Sequence, residues 1–250
     1  MKVLLVDIET APDLGYTWGK WEQNVIEFKE DWYILCFVAK WLDSPKLMVH
    51  KQPDFPVFKK DKTNDLGVIK ALWKLFDEAD VIIAHNGNAF DIKKANARFL
   101  VHGMNPPSPY KTIDTKLVAK RYFKFDSNSL DELGRYLKLG RKVQHKGFAL
   151  WLECMAGNLK SWAEMIRYNK QDVILLEKVY LKLRGWMTNH PNYNFVDQTI
   201  RNCPNCGKHT LQARGSVKTI TSEYKRYYCT NCGAWSRGNP TKSFRVEIRS

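Results

Sequence analysis

The chain has 250 residues, 44% of them apolar, and its 40 Lys/Arg outnumber 26 Asp/Glu to give a net charge of +14. That length suits one catalytic domain plus a small module, and the apolar share excludes a disordered chain. No apolar run nears the roughly 18 residues of a membrane helix, and no signal-peptide pattern opens the chain. The expectation is therefore a cytoplasmic protein without a membrane partner, in the host-cell cytoplasm if the source is viral.

In chain order, residues 2–8 predict a buried strand, Trp32–Trp41 a second, and Leu47–Lys51 a third beside it. A polar stretch, Gln52–Thr63, precedes a helix from about Asp65 to Ala79 that places Leu66, Ile69, Leu72, Trp73, Phe76 and Ala79 on one face. Val81–Ala84 is a short strand, His85–Asn88 a turn, and a further helix runs to about His102, where Gly103 stops it. Lys111–Asp114 predicts a strand, followed by a helix. Ser129-Leu-Asp-Glu132 and Ser161-Trp-Ala-Glu164 are capping boxes, the second opening a long helix that ends at Gly185. Strands alternating with helices imply an α/β domain over residues 1–185, with a linker over 186–200 and a separate module over 201–250.

The charge is concentrated at one end. From Val196 to Ser250 there are ten Lys/Arg against three Asp/Glu, about half of the net excess in the last fifth of the chain. Such a local excess favours nucleic acid as the partner, since cations near phosphates release condensed counterions. Of the six cysteines, Cys36 and Cys154 stand alone and read as buried thiols. The other four form Cys203-Pro-Asn-Cys206-Gly and Cys229-Thr-Asn-Cys232-Gly, two pairs that suit one tetrahedral, structural Zn²⁺. The alternating stretches Leu211–Val217 and Tyr224–Tyr228 would form the hairpin of such a ribbon. Arg214, Lys218, Lys225, Arg226, Arg237 and Arg245 are interleaved there with Tyr224, Tyr227, Tyr228, Trp235 and Phe244. Basic residues among aromatics suit single strands, so Arg214, Lys225 and Arg226 are candidate substrate contacts.

The remaining chemistry lies in carboxylates. Asp7 and Glu9 stand two apart on the first strand and so share a face, where their repulsion is relieved by a bound divalent cation. Asp91 follows the Val81–Ala84 strand and its turn. Tyr168 and Asp172 stand four apart on the last long helix and share one of its faces. Read singly, Asp91 is a first-turn residue favouring the helix dipole, and Tyr168 with Asp172 an ordinary boundary pair.

Together, Val6-Asp7-Ile8-Glu9-Thr10, then His85-Asn86-Gly87-Asn88-Ala89-Phe90-Asp91, then Tyr168-Asn169-Lys170-Gln171-Asp172 resemble the three exonuclease motifs of the DEDD superfamily. That superfamily includes the proofreading domains of DNA polymerases and ribonuclease D, and the Tyr four residues before the last Asp resembles its tyrosine branch. The resemblance covers about residues 1–185. It implies a ribonuclease H-like mixed sheet flanked by helices, and a metal-dependent 3′–5′ exonuclease acting on single-stranded DNA or RNA, with DNA favoured. Two Mg²⁺ or Mn²⁺ ions are implied, as suits an all-oxygen ligand set. By resemblance Asp7 would bridge them, Glu9 and Asp172 would complete the site for the ion that activates water, and Asp91 would hold the second. Tyr168 would orient or help deprotonate the attacking water, while Asn86 and Thr10 match positions near the terminal nucleotide. Asp114, directly after a strand, reads instead as a helix N-cap.

A different class remains open: a non-catalytic nucleic-acid-binding accessory protein with a nuclease-like fold. A nuclease of the same fold but different polarity or mode, such as an endonuclease, is a third reading, and reaction products separate all three. The size and the fused ribbon suggest work in replication, repair or recombination, and proofreading would require a polymerase in trans.

Overall fold

The computed structural model describes residues 1–21, 24–193 and 202–243. Its centre is a five-stranded mixed sheet. The strands are β1 (Val3–Thr10), β4 (Ile34–Trp41), β5 (Leu47–Lys51), β6 (Val81–Ala84) and β7 (Lys111–Asp114), in spatial order β5-β4-β1-β6-β7. β1 runs antiparallel to β4 and parallel to β6, which is parallel to β7. A separate two-stranded hairpin, β2 (Leu14–Tyr16) with β3 (Glu27–Glu30), grows out of the β1–β4 end, where no strand is expected from the sequence pattern.

Alternation along β1 divides the core. Leu4, Val6 and Ile8 pack with Ile82 against helix α1 (Leu66–Glu78) and helix α2 (Asp91–Val101), through Ile69, Leu72, Phe76 and Phe99. Val3 and Leu5 point the other way, onto Val173, Leu176 and Tyr180 of the long helix α6 (Leu159–Leu183). Helices α3 (Thr115–Tyr122) and α4 (Leu130–Tyr136) lie on that second face, and α5 (Phe148–Ala156) closes the edge with Leu150 and Cys154. Asp65 is buried between α1, β4 and α2, accepting from the Ile34 amide at 2.8 Å and from Arg98 Nη2 at 2.6 Å.

Two sequence expectations change. α5 lies where the sequence pattern predicts no element, although Gly147 and Gly157, both at positive φ, bracket an apolar run. The box opening at Ser161 is not used as a cap. α6 begins at Leu159, with the Asn158 side chain accepting from the Lys160 and Ser161 amides, because Ser161 is buried and its hydroxyl donates to Glu153. The first box holds: Ser129 Oγ accepts from the Glu132 amide at 3.3 Å.

His85 joins the sheet to the α3–α4 region. Its Nε2 lies 3.0 Å from the Asn128 carbonyl, which can only accept, so the neutral ring donates there and Nδ1 faces Thr115 Oγ1 at 2.9 Å. Burial pulls its pKa down to about 4, and burial does the same for His190. Both rings are neutral in the fold and charge more readily when unfolded. Their stabilisation is complete above the unfolded value near 6.5 and is lost as pH falls toward about 4. Between about pH 6.5 and 4, thermal melts of His85→Asn are expected to lose less Tm on acidification than those of the wild type. An unaltered slope in that variant would remove His85 from the account.

Candidate active site

Asp7 and Glu9 share the parity of Val3 and Leu5, so both carboxylates face α6 rather than α1. There α6 offers Asn169 and Asp172, both fully buried. Asn169 Nδ2 donates to Asp7 Oδ2 at 2.6 Å, fixing that carboxylate. The Oδ1 atoms of Asn169 and Asp172 are buried without a hydrogen-bond partner. Such orphaned acceptors are costly unless something electropositive comes to them.

Asp91 opens α2, and its Oδ1 accepts from the Ile8 amide at 3.1 Å. β6 pairs with β1 only through Leu5, so this carboxylate meets the β1 backbone where the ladder has ended, between Asp7 and Glu9. The turn before it is held by Asp114, which accepts from the Asn86 and Asn88 amides at 3.0 and 3.2 Å while capping α3 through Lys116 and Leu117. Asp114 is thus the structural cap its position suggests. Asn86 sits at φ 67°, and its Oδ1 accepts from Lys116 Nζ at 3.2 Å, so its side chain is engaged within the protein. Gly87 is required there, since a Cβ would lie 2.4 Å from Ala84 Cβ. Thr10 is half-buried at the bulged end of β1.

Lys142 is the participant the sequence did not reveal. Its Nζ lies 2.6 Å from Asp172 Oδ2 and donates to Tyr168 Oη at 2.9 Å. The loop carrying it is pinned by Asp131, which accepts from the Lys142 amide at 2.8 Å and pairs with Arg141. His145 packs edge-on against Tyr168, with centroids 4.7 Å apart.

Burial dominates the electrostatics. It lifts Glu9 to about 8, with Asp172 adding repulsion, and Asp91 to about 7. Asp7 is raised well above the ordinary carboxylate value, by burial and then by Asp91, Glu9 and Asp172. Asp172 is raised by burial although Lys142 opposes this. Tyr168 is also raised, by burial and by Glu9. For Lys142 burial works against the charge, yet Asp172 outweighs it and the ammonium is favoured. Four carboxyls from three elements meet here with Lys142 paired to one of them, and positive charge is short.

The model of the RNase H superfamily matches residues 47–184, more than half of the chain. This chain belongs to the RNase H superfamily. The structure of the family B DNA polymerase from the hyperthermophilic archaeon Pyrobaculum calidifontis is similar in fold, with a TM-score of 0.53 and 15% identity over 73% of this chain. The chain spans 25% of that polymerase's length. No curated protein matches in sequence. Family and fold support a nuclease-like function for this RNase H superfamily member, and no described helix is long and apolar enough to cross a membrane.

Beyond its sheet domain the RNase H superfamily chain carries a second cluster. Cys203, Cys206, Cys229 and Cys232 present sulfurs all within 4.8 Å of one another. The pairs Cys203–Cys232 and Cys206–Cys229 are each 3.7 Å apart. Four ligands at the ~2.3 Å of a zinc–thiolate bond would stand about 3.8 Å apart, so the spacing fits a tetrahedral ion. Gly207 and Gly233, at φ 70° and 75°, let each turn close onto the first cysteine's carbonyl. Strands β8 (Leu211–Lys218), β9 (Ser222–Cys229) and β10 (Trp235–Ser243) form an antiparallel sheet compatible with a zinc ribbon. Arg226 lies over the Trp235 ring at 5.3 Å and Arg237 over Tyr224 at 4.5 Å. Lys225 and Arg214 are exposed, the latter donating to Gln212. Phe244 and Arg245 fall outside the described residues.

The cluster abuts the end of α6. Asn205 Nδ2 donates to the carbonyls of Arg184 at 3.2 Å and Met187 at 3.0 Å. At Gly185 a Cβ would come within 2.1 Å of the Cys232 carbonyl oxygen, so no side chain fits. Of the stretch read as a linker, Met187 is buried in the core and His190 bonds Tyr180 Oη at 2.7 Å; residues 194–200 lie outside the described part.

Proposed function

We propose that this protein is a 3′–5′ exonuclease of the DEDD tyrosine branch, hydrolysing phosphodiesters at the 3′ ends of single-stranded nucleic acid, DNA before RNA. The observation that carries the reading is the convergence of Asp7, Glu9, Asp91 and Asp172 from three separate elements, with buried acceptor oxygens left unpartnered beside them. All-oxygen donors of this kind suit Mg²⁺ or Mn²⁺, and these four side chains would hold the ions. When bound, two such ions supply an activated water and charge relief on the departing 3′-oxygen.

The chain's own groups have distinct tasks. Asn169 keeps Asp7 turned into the site. Tyr168 orients the attacking water, but its raised pKa makes the phenol a donor rather than a base. Lys142 holds the Tyr168 hydroxyl and Asp172 in register. Residues 1–185 would act as the nuclease domain and 201–250 as a zinc ribbon that assists strand binding, through Arg214, Lys225 and Arg226. A reducing, cytoplasmic setting would keep the thiols available to zinc. A polymerase or other replication protein would act in trans.

Incubation with 5′-labelled single-stranded DNA or RNA and Mg²⁺, Mn²⁺ or chelator tests the reading. A metal-dependent ladder shortening from the 3′ end is expected; internal cuts or intact substrate would overturn it. A binding measurement adds to this. The folded state favours protonated Glu9 and Asp91, so their stabilisation of the metal-free protein is complete below the ordinary carboxylate range. It is lost as pH rises through about 7 to 8. Cations compete with those protons, and added Mg²⁺ should therefore raise Tm more at about pH 8.5 than at about pH 6. Equal shifts at both would mean that the ion sits elsewhere.

A further inference from the structure

The β2–β3 hairpin is out of keeping with a buried-core protein. Trp18 is 90% exposed, Trp21 76%, Tyr16 58% and Phe28 56%, with Leu14 and Ile26 also open to solvent. Monomers seldom leave so many large apolar side chains uncovered on one short hairpin without a use for them. A two-stranded sheet of this size has no core of its own, so the rings are not there to stabilise it.

Its roots place it. β1 passes from Glu9 through Thr10 to Ala11, whose amide donates to the Tyr33 carbonyl at 2.9 Å, and Asp13 then accepts from the Trp32 amide at 2.9 Å. The stems therefore leave the sheet at the very end where Asp7 and Glu9 face α6. Between Leu14 and Glu30 the sequence carries Lys20 and Lys29 against Glu22, Glu27 and Glu30, a net charge of −1 in a chain of +14. Phosphates gain no hold on such a surface. Flat rings do offer a face to bases, and base–aromatic stacking needs neither sequence nor charge.

We infer that the hairpin is a stacking surface for the unpaired bases of the strand whose end lies at the carboxylates. The choice of strand rests on the nuclease reading; the stacking itself does not. A strand held this way contacts the protein through bases beside the site and through phosphates farther off.

The test uses full-length protein in chelator, where no turnover occurs, and reads fluorescence anisotropy of a labelled single-stranded oligodeoxynucleotide. A second oligonucleotide of the same length carries abasic nucleotides near its 3′ end. Binding of the normal strand should weaken about tenfold for each ring lost in the double variant Trp18→Ala/Trp21→Ala. The abasic strand should bind wild type weakly and lose little more in the variant. Trp18→Phe/Trp21→Phe should restore most of the affinity. Equal losses on both strands, or no loss on the normal one, would overturn the inference and leave the hairpin to a protein partner. A protein that binds in the expected way but cleaves nothing when Mg²⁺ is added would instead overturn the nuclease reading alone.

Discussion

Asp7→Ala should reduce nucleotide release by roughly a thousandfold or more while leaving strand binding in chelator nearly intact. The estimate follows from the several kcal/mol that metal-assisted charge stabilisation provides, at about 1.4 kcal/mol for each factor of ten. Asp7 is raised by burial and then by Asp91, Glu9 and Asp172, so its removal takes away the carboxylate that meets the other three. The same substitution should stabilise the metal-free fold above about pH 8, because a buried charge that burial opposes has gone. Tyr168→Phe provides the contrast. The phenol shares a hydrogen bond with Lys142 and lies too high in pKa to take a proton readily. Its loss should cost nearer a hundredfold, the lower end for groups that assist proton transfer. Equal, complete loss in both variants would mean that Tyr168 does more than orient water.

The second large effect concerns the four cysteines. Metal analysis should find one zinc per chain, and Cys206→Ser should release it. The three-stranded sheet that joins Cys203, Cys206, Cys229 and Cys232 has a core of little beyond Ala234 and Leu211. Zinc in sites of this kind contributes about 10–16 kcal/mol of apparent binding energy, far more than so small a core supplies. The variant should therefore lose the β8–β10 sheet and become open to proteolysis beyond residue 202, while the melting of the larger sheet shifts less. A variant that keeps its strands protected without metal would show that packing alone holds them.

Much of this was legible in the sequence, for reasons that differ by element. Val3–Val6 and Val81–Ala84 announce themselves because strands buried on both faces are continuously apolar. Asp7 and Glu9 stand out against that background, and the Cys-x-x-Cys pairs need only counting. Lys142 was not legible. It lies in an aperiodic loop where Arg141 and Lys138 are equally basic, and only the fold brings it within 2.6 Å of Asp172. Asn169 was hidden in the same way, one residue after the conspicuous Tyr168. Ser161 misled because a cap box was present at the right spacing, yet Asn158 offered its oxygen to the Lys160 and Ser161 amides and opened the helix earlier. Capping is a local competition, and sequence shows the competitors more clearly than the winner.

Gly185 ties these parts together mechanically. With the Cys232 carbonyl pressed against its α-carbon and Asn205 gripping Arg184 and Met187, the chain has no free joint at the foot of α6. The helix then works as a shaft: Asp172 lies 11 residues above Leu183, about 16 Å at 1.5 Å per residue. Disturbing the thiolate end would turn or tilt that shaft and shift a carboxylate it never touches. Splicing a flexible spacer in at residue 185 would uncouple the two ends, even with every ligand on both sides left in place.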